Sequence, residues 1–186
     1  MDNEFILQDR IQKIQQVINK YNEINFYISY SGGKDSNVLS ALVDMALPDN
    51  TIPRVYCNTG IEYKIIVDFV KDKAAKDSRF EIIQPKVPIK PMLETDGYPF
   101  KSKRHSVNVA CYQSMGLKSK TVQHYLDISE DGKHWSSWKL CPKVLEYQFS
   151  PEFDLKISDK CCKNLKQKPL AEWQRERERE SIVFLV

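Results

Sequence analysis

An apolar run, Phe26-Tyr27-Ile28, leads into Ser31-Gly32-Gly33-Lys34-Asp35-Ser36, and a helix-like run from Val38 to Met45 follows. No other stretch constrains the fold as much. A strand, a tight glycine turn and a helix N-terminus in that order make a cradle for one anion. The glycines let the backbone curl until its N–H groups converge, and the helix dipole adds to their field. Lys34 brings a mobile positive charge, and Ser31 and Ser36 bring hydroxyl donors. The stretch is not the Walker P-loop, which needs Gly-Lys followed directly by Ser or Thr to hold magnesium. Here Asp35 intervenes and the upstream glycine spacing differs. The plain alternative is an ordinary Gly-Gly turn between a strand and a helix.

The rest of the first half repeats that alternation. Phe5, Ile6, Ile11, Ile14, Val17, Ile18 and Tyr21 fall near helical spacing and predict an amphipathic helix over 4–21. Strands are expected at 25–30, 53–58 and 80–84, with helices at 35–47 and 61–76 between them. The second helix carries Ile65, Ile66, Phe69, Val70 and Ala74 along its apolar face. Strands alternating with helices of this length mean βαβ units, hence an α/β fold with a parallel twisted sheet flanked by helices. After residue 88 the pattern changes. Short helices are expected at 89–94, 105–115 and 119–127, then an irregular stretch over 128–151 rich in Trp, Tyr, Lys, Ser and Pro. A helix at about 170–179 and an apolar strand at 181–186 close the chain. The expected organisation is one domain over 1–186. It has an N-terminal helix at 1–22, a βαβ core at 23–88, and a helical and irregular lobe at 89–186 holding Cys161-Cys162 and the terminal strand.

Composition narrows the class. With 41% hydrophobic and 28% charged residues, a chain of 186 residues can bury a real core. Its net charge of +3 suits an anionic nucleotide and does not by itself establish nucleic-acid binding. No apolar run is long enough to span a membrane, and the acidic start Met1-Asp2-Asn3-Glu4 is opposite to an export signal. Five cysteines without paired spacing argue for a reducing cytoplasm and against a disulfide framework. The alternating charges of Arg175 to Glu180 read as a solvated helical face.

The glycine loop resembles the PP-loop of ATP pyrophosphatases and of adenylyl-sulfate and phosphoadenylyl-sulfate (PAPS) reductases. Three further segments follow in order: Val55 to Tyr63, with its Thr-Gly-x-Glu turn, resembles the family's second strand; Gly97-Tyr98-Pro99 with Ser102-Lys103 resembles a turn of PAPS-reductase-like proteins; and Lys160-Cys161-Cys162 with Lys166 and Pro169-Leu170 is similar to the Cys-Cys…Lys…Pro-Leu segment of adenylyl-sulfate reductases. The resemblance runs from about Tyr27 to Trp173. It implies an adenine nucleotide alpha hydrolase-like, Rossmann-like domain that binds ATP or an adenylyl-sulfate nucleotide, with Mg²⁺ beside a triphosphate. In such enzymes ATP is cleaved between the α and β phosphates and the adenylyl group activates a substrate. The family's later Gly-x-Arg segment and C-terminal cysteines have no counterpart before Val186, so the chain is expected to be a shortened relative, by nature or by truncation.

The resemblance assigns Lys34 and Asp35 as catalytic, Lys34 through the charge on the phosphoryl oxygens and Asp35 either by fixing the loop or by helping to hold metal. Ser31, Gly32, Gly33, Lys34, Asp35, Ser36, Asn58, Thr59, Gly60, Glu62 and Lys103 then form the nucleotide site. For several of these a plainer reading stands alongside. Glu62 is either a ligand contact or a first-turn helix carboxylate favoured by the dipole. The cluster Lys101, Lys103, Arg104 and His105 either meets phosphate or sulfate or is a solvated loop. His105, His124 and His134 read as structural or surface residues.

Cys161 and Cys162 are the candidate metal ligands. Adjacent cysteines cannot complete a tetrahedral site alone, and the family's partner Cys-x-x-Cys is missing. Cys111 and Cys141 complete a four-cysteine site if the fold brings them near; the plainer reading is a core pair or the remnant of a lost site, and iron–sulfur or zinc is not the expectation. Trp135, Trp138, Tyr147 and Phe149 are either base-stacking residues or packing anchors. Three functions follow: nucleotide chemistry at the loop, a catalytically silent phage or mobile-element relative that acts by binding a protein partner, and a nucleic-acid modification component. A homodimer is also open.

Overall fold

The structure, a computed structural model, describes residues 3–128, 140–177 and 182–183. Its contacts divide the chain into two compact units, residues 1–86 with 165–186, and residues 87–164.

The first unit is α/β. Helix α1 (Asn3–Tyr21) precedes strand β1 (Phe26–Tyr30), then α2 (Lys34–Ala46), β2 (Arg54–Cys57), α3 (Lys64–Lys76) and β3 (Phe80–Ile83). All described pairings are parallel, in the order β3-β2-β1-β4, where β4 is Ile182–Val183 at the far end of the sequence. The strand order therefore grows one way from β1 to β3 and reverses between β1 and β4. On one face Phe26, Ile28, Tyr30 and Tyr56 pack with Ile14 and Ile18 of α1, Val43 and Ala46 of α2 and Val70 of α3. On the other, Tyr27 and Val55 pack with Trp173 of a later helix. Alternate strand residues serve opposite faces, which is the period of two that a strand imposes.

Helix α3 departs from its sequence pattern. It begins at Lys64, not 61, and of its apolar residues Val70 is buried, Ile66 is half-buried, and Ile65 is 78% exposed. The turn before it explains the late start. Gly60 has φ +87°, its N–H bonds to Asn58 Oδ1, and Glu62 is tied back to Thr59, so the chain cannot turn helical before Tyr63.

A buried ionic knot lies under the N-terminal end of β2. Arg54 is fully buried and donates to Asp44 Oδ1 at 2.6 Å, Asn50 Oδ1 at 2.8 Å, Ser40 Oγ at 3.2 Å and the Ile52 carbonyl. Arg79 shares Asp44 at 2.8 Å and clasps Asp77 at 2.7 Å. Burial pulls the Arg54 guanidinium down from its ordinary value, and Asp44 opposes that shift.

A π-helical turn, Lys163–Gln167, leads into helix α7 (Lys168–Glu176), numbered after three helices of the second unit. Trp173 Nε1 donates to Glu81 of β3 at 2.8 Å, its ring lies 5.3 Å from Tyr27, and the Arg177 guanidinium sits 4.6 Å over it. So 165–177 and β4 belong with the βαβ core, although the sequence pattern grouped them with the lobe.

The second unit holds α4 (Ile89–Asp96), α5 (Lys103–Met115) and α6 (Lys120–Leu126), with a 3-10 segment at Lys143–Phe149. Helix α5 starts at Lys103 because Ser102 caps it, accepting from the His105 N–H at 3.2 Å. Its core joins Val122, Tyr125, Leu126, Cys141 and Leu145. His105 is 1% exposed, with Nδ1 3.0 Å from the Tyr125 hydroxyl and Nε2 2.9 Å from Gln148 Oε1. Since the Gln148 oxygen only accepts, Nε2 is the donor to it, and the Tyr125 hydroxyl partners Nδ1. His105 is thus a satisfied core histidine. Phe149 packs edge-on against it at 5.8 Å, a packing anchor. Trp135, Trp138 and His134 lie outside the described residues. No described helix is long and apolar enough to cross a membrane.

Candidate functional site

The loop after β1 sits where the strand order reverses. Gly32 takes φ +75°, and its missing Cβ lets α3 close in: a Cβ there would meet Ile66 Cγ2 at 2.8 Å and Val70 Cγ2 at 3.1 Å. Gly33 caps α2 with extended backbone and no side-chain cap. The first intrahelical bond is Asn37 N–H to the Gly33 carbonyl at 3.1 Å. The N–H groups of Lys34, Asp35 and Ser36 therefore have no intrahelical partner, as at any helix start. No described residue accepts from them either. Three unpaired donors thus end on the loop, with the dipole of a 13-residue helix behind them.

The hydroxyls behave differently from the sequence expectation. Ser36 Oγ donates to the Gly33 carbonyl at 3.0 Å, so Ser31 Oγ donates to Ser36 Oγ at 3.1 Å and accepts from Gly33 N–H at 3.3 Å. Both protons are spent inside the loop. Asn37 completes the brace: its Nδ2 donates to the carbonyls of Gly32 at 3.2 Å and Gly33 at 2.9 Å, and its Oδ1 accepts from the Tyr30 hydroxyl at 2.6 Å. Asn37 and Tyr30 were not singled out in the sequence. The polar Asn one residue past the motif was the available signal. Lys34 and Asp35 are exposed, with no ion-pair partner among the described residues.

The second loop follows β2. Thr59 is buried, and Glu62 accepts from its N–H at 3.0 Å and its hydroxyl at 2.7 Å. Glu62 stands outside α3, so it is a turn brace and not a first-turn helix carboxylate. Lys166 of the π turn brings its ammonium to 4.0 Å from the same carboxylate. Cys57, next to this turn, donates its thiol to the Leu165 carbonyl at 3.0 Å; burial chiefly, and then Glu62, push that thiol up from its ordinary value. The Tyr56 hydroxyl is buried without a hydrogen-bond partner among the described residues, and burial followed by Glu62 raises it too.

Of the expected site, the structure brings Ser31 to Ser36 together as one loop and Asn58, Thr59, Gly60 and Glu62 as another, on strands that are neighbours in register from Ile28–Arg54 to Tyr30–Tyr56. Lys103, Cys161 and Cys162 belong to the second unit, where they line one pocket. Cys141 is buried in that unit's apolar cluster with Cys111 packed against it, and among the described residues no three His, Cys, Asp or Glu side chains gather as a metal group.

No family model matches the chain, and no solved structure matches it. The chain is similar to an uncharacterized protein of Methanocaldococcus jannaschii, with 34% identity over 107 residues, which is 52% of this chain and 26% of that protein. The chain thus spans about a quarter of that relative's length.

Proposed function

We propose that this is a PP-loop protein of the PAPS-reductase type, Rossmann-like in topology, that binds ATP or an adenylyl-sulfate nucleotide at Ser31 to Ser36. One observation carries the reading: three unpaired N–H donors of α2 end on a glycine loop at the carboxyl end of β1. The reversal of strand order between β1 and β4 supports it, since ligands of open parallel sheets bind beyond the carboxyl ends of strands at such a reversal.

The chemistry would divide among the chain's own residues. The N–H groups of Lys34, Asp35 and Ser36 would hold phosphate or sulfate oxygens. Lys34 would follow the charge that develops on them. Cleavage at the α phosphorus would break its bond to the bridging oxygen, release pyrophosphate and pass the adenylyl group to an acceptor. Bound Mg²⁺ would offset the triphosphate charge. Asp35 is the residue suited to hold it, because it is exposed and uncommitted, whereas both oxygens of Glu62 are taken by Thr59.

Product analysis after incubation with ATP and Mg²⁺ tests the reaction. AMP with pyrophosphate supports adenylyl chemistry; ADP with phosphate contradicts it. A second reading, docking of a protein partner, draws on Ile61, Tyr63 and Ile65, which are 63%, 80% and 78% exposed beside the second loop. Partner binding that survives Lys34→Ala, with no nucleotide turnover, would favour it.

A further inference from the structure

The five cysteines differ in exposure. Cys57 and Cys141 are buried, Cys111 and Cys161 are half-buried, and Cys162 is exposed. Cys162 opens, with Cys161, on a pocket of about 320 Å³ within the second unit. Lys101 and Lys103 line the same pocket, against one acidic side chain, Asp159. Among the described residues neither lysine has a carboxylate partner, so the pocket's cationic charge is unspent. A cavity of this size holds a small molecule of a few hundred Å³, not a protein surface.

We propose that Cys162 is a thiol-modification site, and that its pocket selects small anionic disulfides such as glutathione disulfide over neutral ones. The step is thiol–disulfide exchange. The Cys162 thiolate attacks one sulfur of the disulfide, the disulfide's S–S bond breaks, and a new S–S bond joins Cys162 to one half. The other half leaves as a thiolate with the electron pair, and it takes a proton from water equivalent to the one Cys162 lost. The disulfide is the oxidant, and nothing else is consumed. The product stays a mixed disulfide. Adjacent residues hold their Cα atoms about 3.8 Å apart, below the ~4.4 Å that an unstrained disulfide needs, so Cys161 does not displace the adduct. Lys101 and Lys103 act through the carboxylates of the incoming molecule.

The test compares glutathione disulfide with the neutral hydroxyethyl disulfide on the full chain. Adducts are counted by intact mass, placed by peptide mapping and followed in time at low and high salt. The expected result is one glutathionyl group, on Cys162, absent in Cys162→Ser. In the double variant Lys101→Gln/Lys103→Gln the glutathione reaction slows about three- to tenfold at low salt, and the neutral reaction keeps its rate. High salt erases the difference. First modification at another cysteine would overturn the proposal. So would a double variant that slows both reagents equally, or neither. Both lysines are exposed, so the double variant keeps its fold, which a far-ultraviolet spectrum checks.

Discussion

Gly32 carries two separate demands: a left-handed backbone at φ +75°, and no room for a Cβ, which would lie 2.8 Å from Ile66 Cγ2. Gly60 carries only the first, with φ +87° and open space around it. Gly32→Ala is expected to destabilise by about 2–4 kcal/mol and Gly60→Ala by about 1–2 kcal/mol, read as shifts in urea midpoint at constant slope. Equal losses would mean that α3 does not press on the loop. At the other end of the sheet, Asp44→Ala strips buried Arg54 of its carboxylate and should cost about 3 kcal/mol. Its neighbour Asp77 adds a pH dependence. The hydrogen bond from Arg79 holds its carboxyl below the usual value. Its contribution is therefore present above the unfolded-state value of about 3.9 and is lost as pH falls through the lower folded value. Asp77→Asn should flatten the acid limb of the stability curve below about pH 4 and leave its slope near neutrality unchanged.

Among the elements, those with a local cause were readable from sequence. Helix α1, strand β1, the glycine loop and α2 follow from periodicity and a turn signal within a few residues of one another. The start of α3 was not readable, because the Thr59–Glu62 brace withholds Ile61 to Tyr63 from a helix their apolar spacing invites. The candidate loop was legible in the same way. Its glycines and Lys34 announce themselves, but the hydroxyls of Ser31 and Ser36 are turned inward by contacts no spacing rule encodes. Lys166 meets Glu62 across more than a hundred positions, and Arg79 meets Asp44 across 35. Helix α7 shows the same dependence on distant partners. Its few core residues centre on Trp173, 3% exposed between Tyr27 and Glu81. Trp173→Ala is expected to cost about 3–5 kcal/mol. It should also raise amide exchange across α7 and β4 before β2 responds.

Among the described residues each unit has its own core, with clusters on both faces of the parallel sheet in one and a cluster among α5, α6 and the 3-10 segment in the other. Val122 is fully buried in the second. Val122→Ala should weaken amide protection in α5 and α6 by about 1–3 kcal/mol and leave β1 and β2 protected. Uniform loss across both units would mean that they unfold as one. The nucleotide reading belongs to the sheet unit, and its core claim is that the loop after β1 is a working anion site. Calorimetric titration with ATP·Mg²⁺ and with adenosine phosphosulfates, wild type beside Lys34→Ala, tests this most directly, since Lys34 is exposed and its loss leaves the fold intact. The account predicts saturable one-site binding that Lys34→Ala weakens at least tenfold, the tightest ligand naming the substrate class. No heat from any of these nucleotides, or equal affinity in the variant, would contradict it.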